Sequence, residues 1–539
     1  MSARGGSVFG GKKYLPIIAI LVLGTVLRYY HNLDISLWHD EAFSALLIKY
    51  PWGEMMQRIG LDVHPPMYYI FLRIWHYAFG DSLLALRSFS VFFSVGTIWA
   101  AWLFVKEAFR DNHRAALLAA ALVALNPFQI QYATEARMYT MGAFFAALAA
   151  YFLVKALRYH TLLYDTKKLD MPNLPSTIFD RKKMVWNYIG FSLSIIVMIY
   201  THYYLLFAAA AICFYGVMYL YVHHQGKVFE KFLWLLLSLI VIVISYLPWL
   251  KTFLFQYRQV DSGYWIPPMD KWSVPSTLYT LLIGFGHDVN QLNVQKLLVV
   301  ITIMILIVLY YFLKKTQSFH KWLVLLVSAA PFAGALLFLL LAKLKGSGSS
   351  VYLVRYFIFT GAFLSIVVAV WLSQIKYKSL SAILTFCFLL LNFWAFGNYW
   401  QNLNIKQKPG LNHAAKYLQA NLEPNHKLYV GSSFMFFNLK YYASQLNIIQ
   451  RPLLFSGGNV EAKNLPHFAG TAILTNDDLL PDFSQGVKSG DTVWLVWTNG
   501  FGASKPPIPS NWTQIAEKEY PEVRPYAGAN VYVSEYKVN

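Results

Sequence analysis

Charge is what this sequence has least of: Asp, Glu, Lys and Arg make up 13% of its 539 residues, against 57% hydrophobic and 17% aromatic. An ordinary soluble domain carries about a quarter charged residues, so the composition excludes a water-facing globular protein. Cysteine is nearly missing as well. Cys213 and Cys387 both fall in apolar runs, which argues against a disulfide framework and leaves the redox compartment unread. No internal repeat, low-complexity tract or Gly-rich nucleotide loop occurs. The first apolar run, Tyr14 to Tyr30, lacks a small-residue cleavage site and reads as a retained span rather than a signal peptide. The formal charge of +19 does not point to nucleic acid, because the Lys and Arg residues lie between apolar segments, where they set topology.

What is present in quantity is the apolar run long enough to cross a bilayer. Length and flanking charge give about eleven such spans, approximately 14–30, 84–105, 115–128, 138–157, 185–201, 203–222, 232–250, 295–313, 321–342, 354–373 and 379–398. Basic residues fill every second connection: Lys12 and Lys13, Lys106 to Arg114, Lys155 to Lys183, Lys227 and Lys231, Lys314 to Lys321, then Lys376 and Lys378. That alternation puts those connections in the cytoplasm and the others outside.

The outer connections carry the chemistry. Residues 31–83 form a long first loop, whose apolar stretch Pro66–Phe79 is too short to span and predicts helices at the membrane surface. Residues 251–294 form a second large outer loop, with Trp265, Pro267 and Pro268 and a turn at Gly284–Gly286. Gly346-Ser347-Gly348-Ser349-Ser350 has the composition of a mobile gate. Beyond about Gln401 polar residues and turn formers take over. Leu411–Leu422 and Phe434–Gln445 predict helices; Lys427–Val430, Thr471–Leu474, Thr492–Trp497 and Asn530–Glu535 predict strands. The expected fold class is therefore an α-helical polytopic membrane domain over residues 1–400, followed by a small α/β domain over 401–539, which the odd span count places outside.

The strongest local signal is Ser36-Leu37-Trp38-His39-Asp40-Glu41-Ala42, just past the first span. Paired carboxylates at a membrane–water boundary are costly without a role, and one ionised carboxylate supplies the base that a hydroxyl acceptor needs. The competing reading is a solvated turn or helix cap. Later in the same loop stands Asp62-Val63-His64-Pro65-Pro66-Met67-Tyr68-Tyr69, where the prolines force extended backbone and fix the direction of Asp62 and His64. Asp40, Asp62 and His64 offer the donor types of a divalent ion, although no regular ligand spacing supports one. His64 as a capping or stacking residue is the structural alternative.

A third element, Tyr132-Ala133-Thr134-Glu135-Ala136-Arg137-Met138-Tyr139, opens the fourth span. Glu135 and Tyr139 at a spacing of four would share a helix face. Arg137 suits a phosphate, or forms an ordinary surface pair with Glu135. His202 lies in the tight turn Thr201-His202-Tyr203-Tyr204, and Arg355-Tyr356 opens the tenth span, where an arginine either snorkels or neutralises a buried anion.

Taken together, the Trp-x-Asp-Glu-Ala loop, the His-Pro-Pro-Met-Tyr-Tyr segment and the Tyr-Ala-Thr-Glu-Ala-Arg-Met-Tyr segment resemble the bacterial dolichyl-phosphate-mannose–protein mannosyltransferase-like family of C-type glycosyltransferases, which includes the aminoarabinose transferases of lipid A. The resemblance implies Asp40 as the group that activates the acceptor hydroxyl, with Glu41 orienting it. It implies Glu135, Arg137 and Tyr139 near the donor, Arg355 on the lipid phosphate with Tyr356 beside it, and inversion at the sugar. Asp62, His64 and His202 are left to acceptor binding or positioning.

The expected activity is thus transfer of a sugar, mannose-like or other, from a polyprenyl-phosphate carrier to a hydroxyl of protein, lipid or glycan, in a bacterial inner membrane. No cofactor is certain, and a divalent metal stays open. The alternatives are a lipid-linked-sugar transporter or flippase, which would more naturally show mid-membrane charges and repeat symmetry, whereas here the acidic residues cluster in one outer loop and no repeat is visible, and an envelope polysaccharide polymerase or ligase, for which the 251–294 loop speaks.

Overall fold

The computed structural model describes residues 14–110, 112–168, 176–223, 228–261, 266–284, 291–344, 350–523 and 529–539. The Gly346–Ser349 stretch, Trp265 and Phe285–Gly286 lie outside the described residues. In chain order the helices are α1 (Leu15–Tyr29), α2 (His39–Leu47), α3 (Trp52–Leu61), α4 (Met67–Phe79), α5 (Leu83–Ala108), α6 (His113–Leu125), α7 (Pro127–Ala133), α8 (Tyr139–Lys168) and α9 (Ser176–Ile199). They continue with α10 (Leu205–His223), α11 (Val228–Asp261), α12 (Ser273–Leu282), α13 (Leu292–Lys315), α14 (Lys321–Leu344), α15 (Ile358–Ser373), α16 (Lys378–Leu403), α17 (Gly410–Asn421) and α18 (Ser433–Gln445). Strands are β1 (Lys427–Val430), β2 (Leu453–Phe455), β3 (Leu479–Leu480), β4 (Thr492–Thr498), β5 (Trp512–Pro521) and β6 (Asn530–Val538).

The chain forms two compact units. The first comprises residues 1–30, 90–134 and 138–399 and is the helical membrane domain. Among the described residues, eight helices are long and apolar enough to cross a bilayer, nine if one bent pair is counted as a span. Every expected span falls on a helix, yet α1 has only 15 residues, and α9 carries Arg181, Lys182 and Lys183 ahead of its apolar stretch. This is an integral membrane protein. Its α15 is buried almost all round, while α11 and α13 turn wide apolar faces outward, as helices bathed in hydrocarbon do.

The third expected span is a broken one. Helix α6 stops at Asn126, Pro127 starts α7, and the two meet at 56°. The Asn126 side chain caps α7 by accepting from the Gln129 N–H at 3.0 Å. The carbonyls left over at the end of α6 are taken by Arg28, fully buried in α1, which donates to Ala124 O at 3.0 Å and Val123 O at 3.2 Å. The second large outer loop is also shorter than expected: α11 runs on to Asp261 and α12 occupies Ser273–Leu282.

The second unit comprises residues 31–89, 135–137 and 400–539. The first loop contributes α2, α3 and α4, with the predicted surface helix at α4. The C-terminal residues form a six-stranded sheet of order β3-β2-β1-β4-β6-β5, in which β3, β2, β1 and β4 are parallel and β6 and β5 antiparallel. Its core joins Tyr429, Phe483, Val493, Leu495, Trp512 and Tyr536. The predicted strand at Thr471–Leu474 does not form. There Gly470, at φ +79°, closes a 3-10 turn, and its carbonyl accepts from the Ile473 and Leu474 N–H groups, so the segment curls instead of extending.

Candidate active site

The acidic pair opens α2, and its two members have opposite surroundings. Glu41 is fully buried and wholly occupied. Arg87 donates through Nε to Oε1 at 2.9 Å and through a terminal nitrogen to Oε2 at 2.8 Å, the Ala136 N–H reaches Oε1 at 2.8 Å, and the Trp38 N–H lies 3.4 Å from Oε2. Arg87 also binds the carbonyls of Asn32, Ile35 and Ser36. The pair thus ties the turn before α2, the first turn of α5 and the 135–137 segment together. A carboxylate so saturated has no lone pair left for an acceptor proton.

Asp40 sits in a more open place. Its side chain keeps 24% exposure, and the Arg137 Nε stands 3.9 Å from one carboxylate oxygen. Arg137, itself buried, donates to the Asp40 carbonyl at 3.2 Å and to the Ser44 hydroxyl at 3.1 Å, and faces His64 Nε2 at 3.4 Å. On its far side, His64 Nδ1 bonds Asp62 at 3.0 Å, and Tyr69 donates to the same Asp62 oxygen at 3.3 Å. A guanidinium only donates, so Nε2 of His64 is the acceptor and Nδ1 carries the proton to Asp62. Burial alone would raise the Asp62 carboxyl, but the His64 imidazole and the Arg137 guanidinium hold it below the ordinary carboxylate range. The result is a relay Asp40–Arg137–His64–Asp62–Tyr69 with a cation at its centre.

His39, buried between Phe434 and Phe437 of α18, is kept below its usual pKa by that burial. The same helix holds the acidic turn from behind: the Tyr442 hydroxyl accepts from the Leu37 N–H at 2.8 Å, and the Asn438 amide donates to the Leu37 carbonyl at 3.1 Å. Among the described residues no group of three or more His, Cys, Asp or Glu side chains is placed to hold a metal ion. The charge between Asp40 and the Asp62–His64 pair is met by Arg137 instead.

The helix-face pairing expected of Glu135 and Tyr139 is corrected. Residues 134–138 are a turn, with Arg137 N–H bonded to Glu135 O at 2.8 Å, and Tyr139 is the first residue of α8. Glu135 is buried in the second unit, whereas Tyr139 belongs to the first.

The remaining sequence candidates gather in the first unit. Arg355 lies in a 3-10 turn, Val354–Phe357, that opens α15, with its guanidinium 5.8 Å from the Tyr139 ring centre and 5.9 Å from that of Tyr356. His202 stacks obliquely on Tyr356 at 4.6 Å, and its Nδ1 accepts from the Tyr204 N–H at 3.2 Å. A half-buried arginine in an aromatic surround suits an anion more than a neutral ligand.

Sequence reasoning missed Arg87, Ser44, Tyr442 and Asn438, and gave Tyr69 no role although it lies in the segment it singled out. An arginine at the mouth of an apolar span was the available signal for Arg87; Ser44, Tyr442 and Asn438 carry none.

The mannosyltransferase family described as dolichyl-phosphate-mannose-protein mannosyltransferase matches residues 63–164. ArnT from Cupriavidus metallidurans in the apo state shares the fold, with a TM-score of 0.58 at 13% identity over 98% of each chain. Family match and fold agree: this chain has the fold of the C-type glycosyltransferases. The resemblance read from the first-loop motifs is borne out in both respects. The archaeal oligosaccharyltransferase AglB from Archaeoglobus fulgidus, in complex with an inhibitory peptide and a dolichol-phosphate, is similar at 13% identity over 91% of this chain and 70% of its own, with a TM-score of 0.43. The S. cerevisiae Pmt1-Pmt2 protein O-mannosyltransferase complex matches at 14% identity over 46% of this chain and 35% of its own, with a TM-score of 0.34. No curated protein matches the sequence.

Proposed function

We propose that this chain is a glycosyltransferase that takes its sugar from a polyprenyl-phosphate carrier and passes it, with inversion, to a hydroxyl acceptor on the extracytoplasmic side of a bacterial inner membrane, where residues 401–539 also lie. The observation that carries the reading is the contrast within the acidic pair. Glu41 is consumed by Arg87 and two backbone N–H groups, which leaves Asp40, partly exposed beside Arg137, as the carboxylate able to act.

In this reading Asp40 takes the proton from the acceptor hydroxyl as its oxygen attacks the anomeric carbon. The bond from that carbon to the phosphate oxygen breaks, and the electron pair leaves with the lipid phosphate. A phosphate is a competent leaving group, so one base and a cation suffice. Arg355 supplies the cation, with Tyr139, Tyr356 and His202 around it. Glu41 positions α2, while Asp62, His64 and Glu135 hold Arg137 and its turn in place. A mannose-like sugar is the family's usual cargo, and ArnT was also solved bound to undecaprenyl phosphate.

The test is release of free polyprenyl phosphate by purified protein given a panel of polyprenyl-phosphate sugars and crude envelope acceptors. Wild-type release that disappears in Asp40→Asn supports the reading. Equal release by both proteins removes Asp40 from the reaction.

A further inference from the structure

A second recess lies in the C-terminal sheet, apart from the acidic turn. Strands β3, β2, β1 and β4 are parallel, so their carboxyl ends share one edge. Open α/β sheets bind ligands outside that edge where the strand order reverses, here between β1 and β4, and the cleft lies further along the same edge. At the ends of β2 and β3 that edge opens into a cleft of about 880 Å³, within the roughly 300–1,000 Å³ usual for small-molecule sites. Its floor is Phe455, stacked at 4.1 Å on the buried Phe483, and one wall is Pro507–Pro509. The rim carries Asn459, Asp482 and Gln485. The loop after β2 turns through Gly457 and Gly458 at φ +70° and +148°, which keeps side chains out of the opening.

The chemistry of this lining selects its ligand. Among the described residues no Lys, Arg or His lines the cleft, and its one charged group is a carboxylate, so a phosphate or other anion finds no partner there. An aromatic floor with amide and carboxylate groups at the rim matches the apolar face and equatorial hydroxyls of a neutral sugar ring. The location matches too. At the same edge β1 passes through Gly431 into α18, whose Phe434 packs at 5.4 Å on His39, next to Asp40. Neighbouring strands lie about 4.8 Å apart, so the ends of β2 and β3 are roughly 5 and 10 Å further along.

We infer that this cleft is a saccharide subsite, which holds a neutral sugar of an extended glycan acceptor while its hydroxyl end is presented at Asp40. The cleft stands on its own lining; only its service to transfer rests on the reading of Asp40 as the base.

The experiment is equilibrium binding of neutral gluco-, manno- and galacto-oligosaccharides to the purified full-length protein, with inorganic phosphate and a proline-rich peptide as competitors. Asn459→Trp, on the exposed rim, would fill the cleft without touching the core, and Gln485→Ala would trim one polar contact. The expected result is saturable binding of one oligosaccharide series. Affinity should fall at least tenfold in Asn459→Trp and a few-fold in Gln485→Ala, with unchanged melting temperature, and stay intact in Asp40→Asn. Retained binding in an Asp40→Asn protein that also retains turnover would retire the base while leaving the subsite standing. Absence of saccharide binding, equal affinity in folded Asn459→Trp, or preference for phosphate or peptide would overturn the subsite.

Discussion

Arg87 grips both carboxylate oxygens of Glu41, at 2.9 and 2.8 Å, with each side chain 1% exposed. Such a pair contributes less by its attraction than by the cost of breaking it. Glu41→Gln leaves a buried guanidinium partly unpaired and should destabilise the second unit by about 3–5 kcal/mol. A thermal melt checks this, and the double change Glu41→Gln, Arg87→Met should recover part of the loss. If the single variant melts like wild type, the pair is not holding the turn.

Asp40 gives the opposite expectation. Its carboxylate is partly exposed and lies 3.9 Å from the Arg137 Nε, too far for a firm ion pair, so Asp40→Asn should melt within about 0.5 kcal/mol of wild type. Turnover should fall about 10²–10⁴-fold, the usual worth of a general base. Single-turnover release of polyprenyl phosphate would show the loss in the chemical step rather than in donor binding.

Arg355 should report on the donor alone. A hydrogen bond to a charged partner is worth about 1.5–3 kcal/mol, so Arg355→Ala should weaken donor binding roughly 10–100-fold, and Arg355→Lys should restore part of it. Unchanged donor affinity in the alanine variant would return Arg355 to a snorkelling role.

A fourth expectation concerns pH. Glu522 is buried where the Leu411 N–H reaches its Oε1 at 2.7 Å, and burial pushes its carboxyl up to about 7. An unfolded Glu titrates near 4.3, so the folded state holds this proton more tightly. Its contribution to stability is therefore complete below about pH 4 and is lost as pH rises through about 7. Wild type should melt at a lower temperature at pH 8 than at pH 5, and Glu522→Gln should flatten that difference. A wild-type melting temperature that does not change across the range would contradict the assignment.

The spans were legible because bilayer crossing imposes length and apolarity on the local sequence, and β1 and α18 because their period and caps are local too. The break at Asn126-Pro127 was written in the sequence as a proline, yet a run of apolar residues on both sides masks it. Strand β5 escaped because it is a polar edge strand, with Glu517, Lys518 and Glu519 all exposed on its two faces. In the site, Asp40, Asp62, His64 and Arg137 were readable as chemically loaded types in one loop and one later motif. That Arg137 would stand among them, and that Arg87 would silence Glu41, depends on contacts between residues about 50 to 100 positions apart, which no local pattern encodes.

The unit that holds Asp40 is discontinuous, and that sets a schedule for its birth. Residues 31–89 leave the ribosome early, whereas Asn438 and Tyr442, which fasten Leu37, come near the end of the chain. At roughly 5–20 residues per second, the acidic turn waits on the order of tens of seconds for its clasp. A chain released early, with every span already inserted, would look complete to the membrane and still lack the support for its acidic turn. Translation must finish before that turn is fastened.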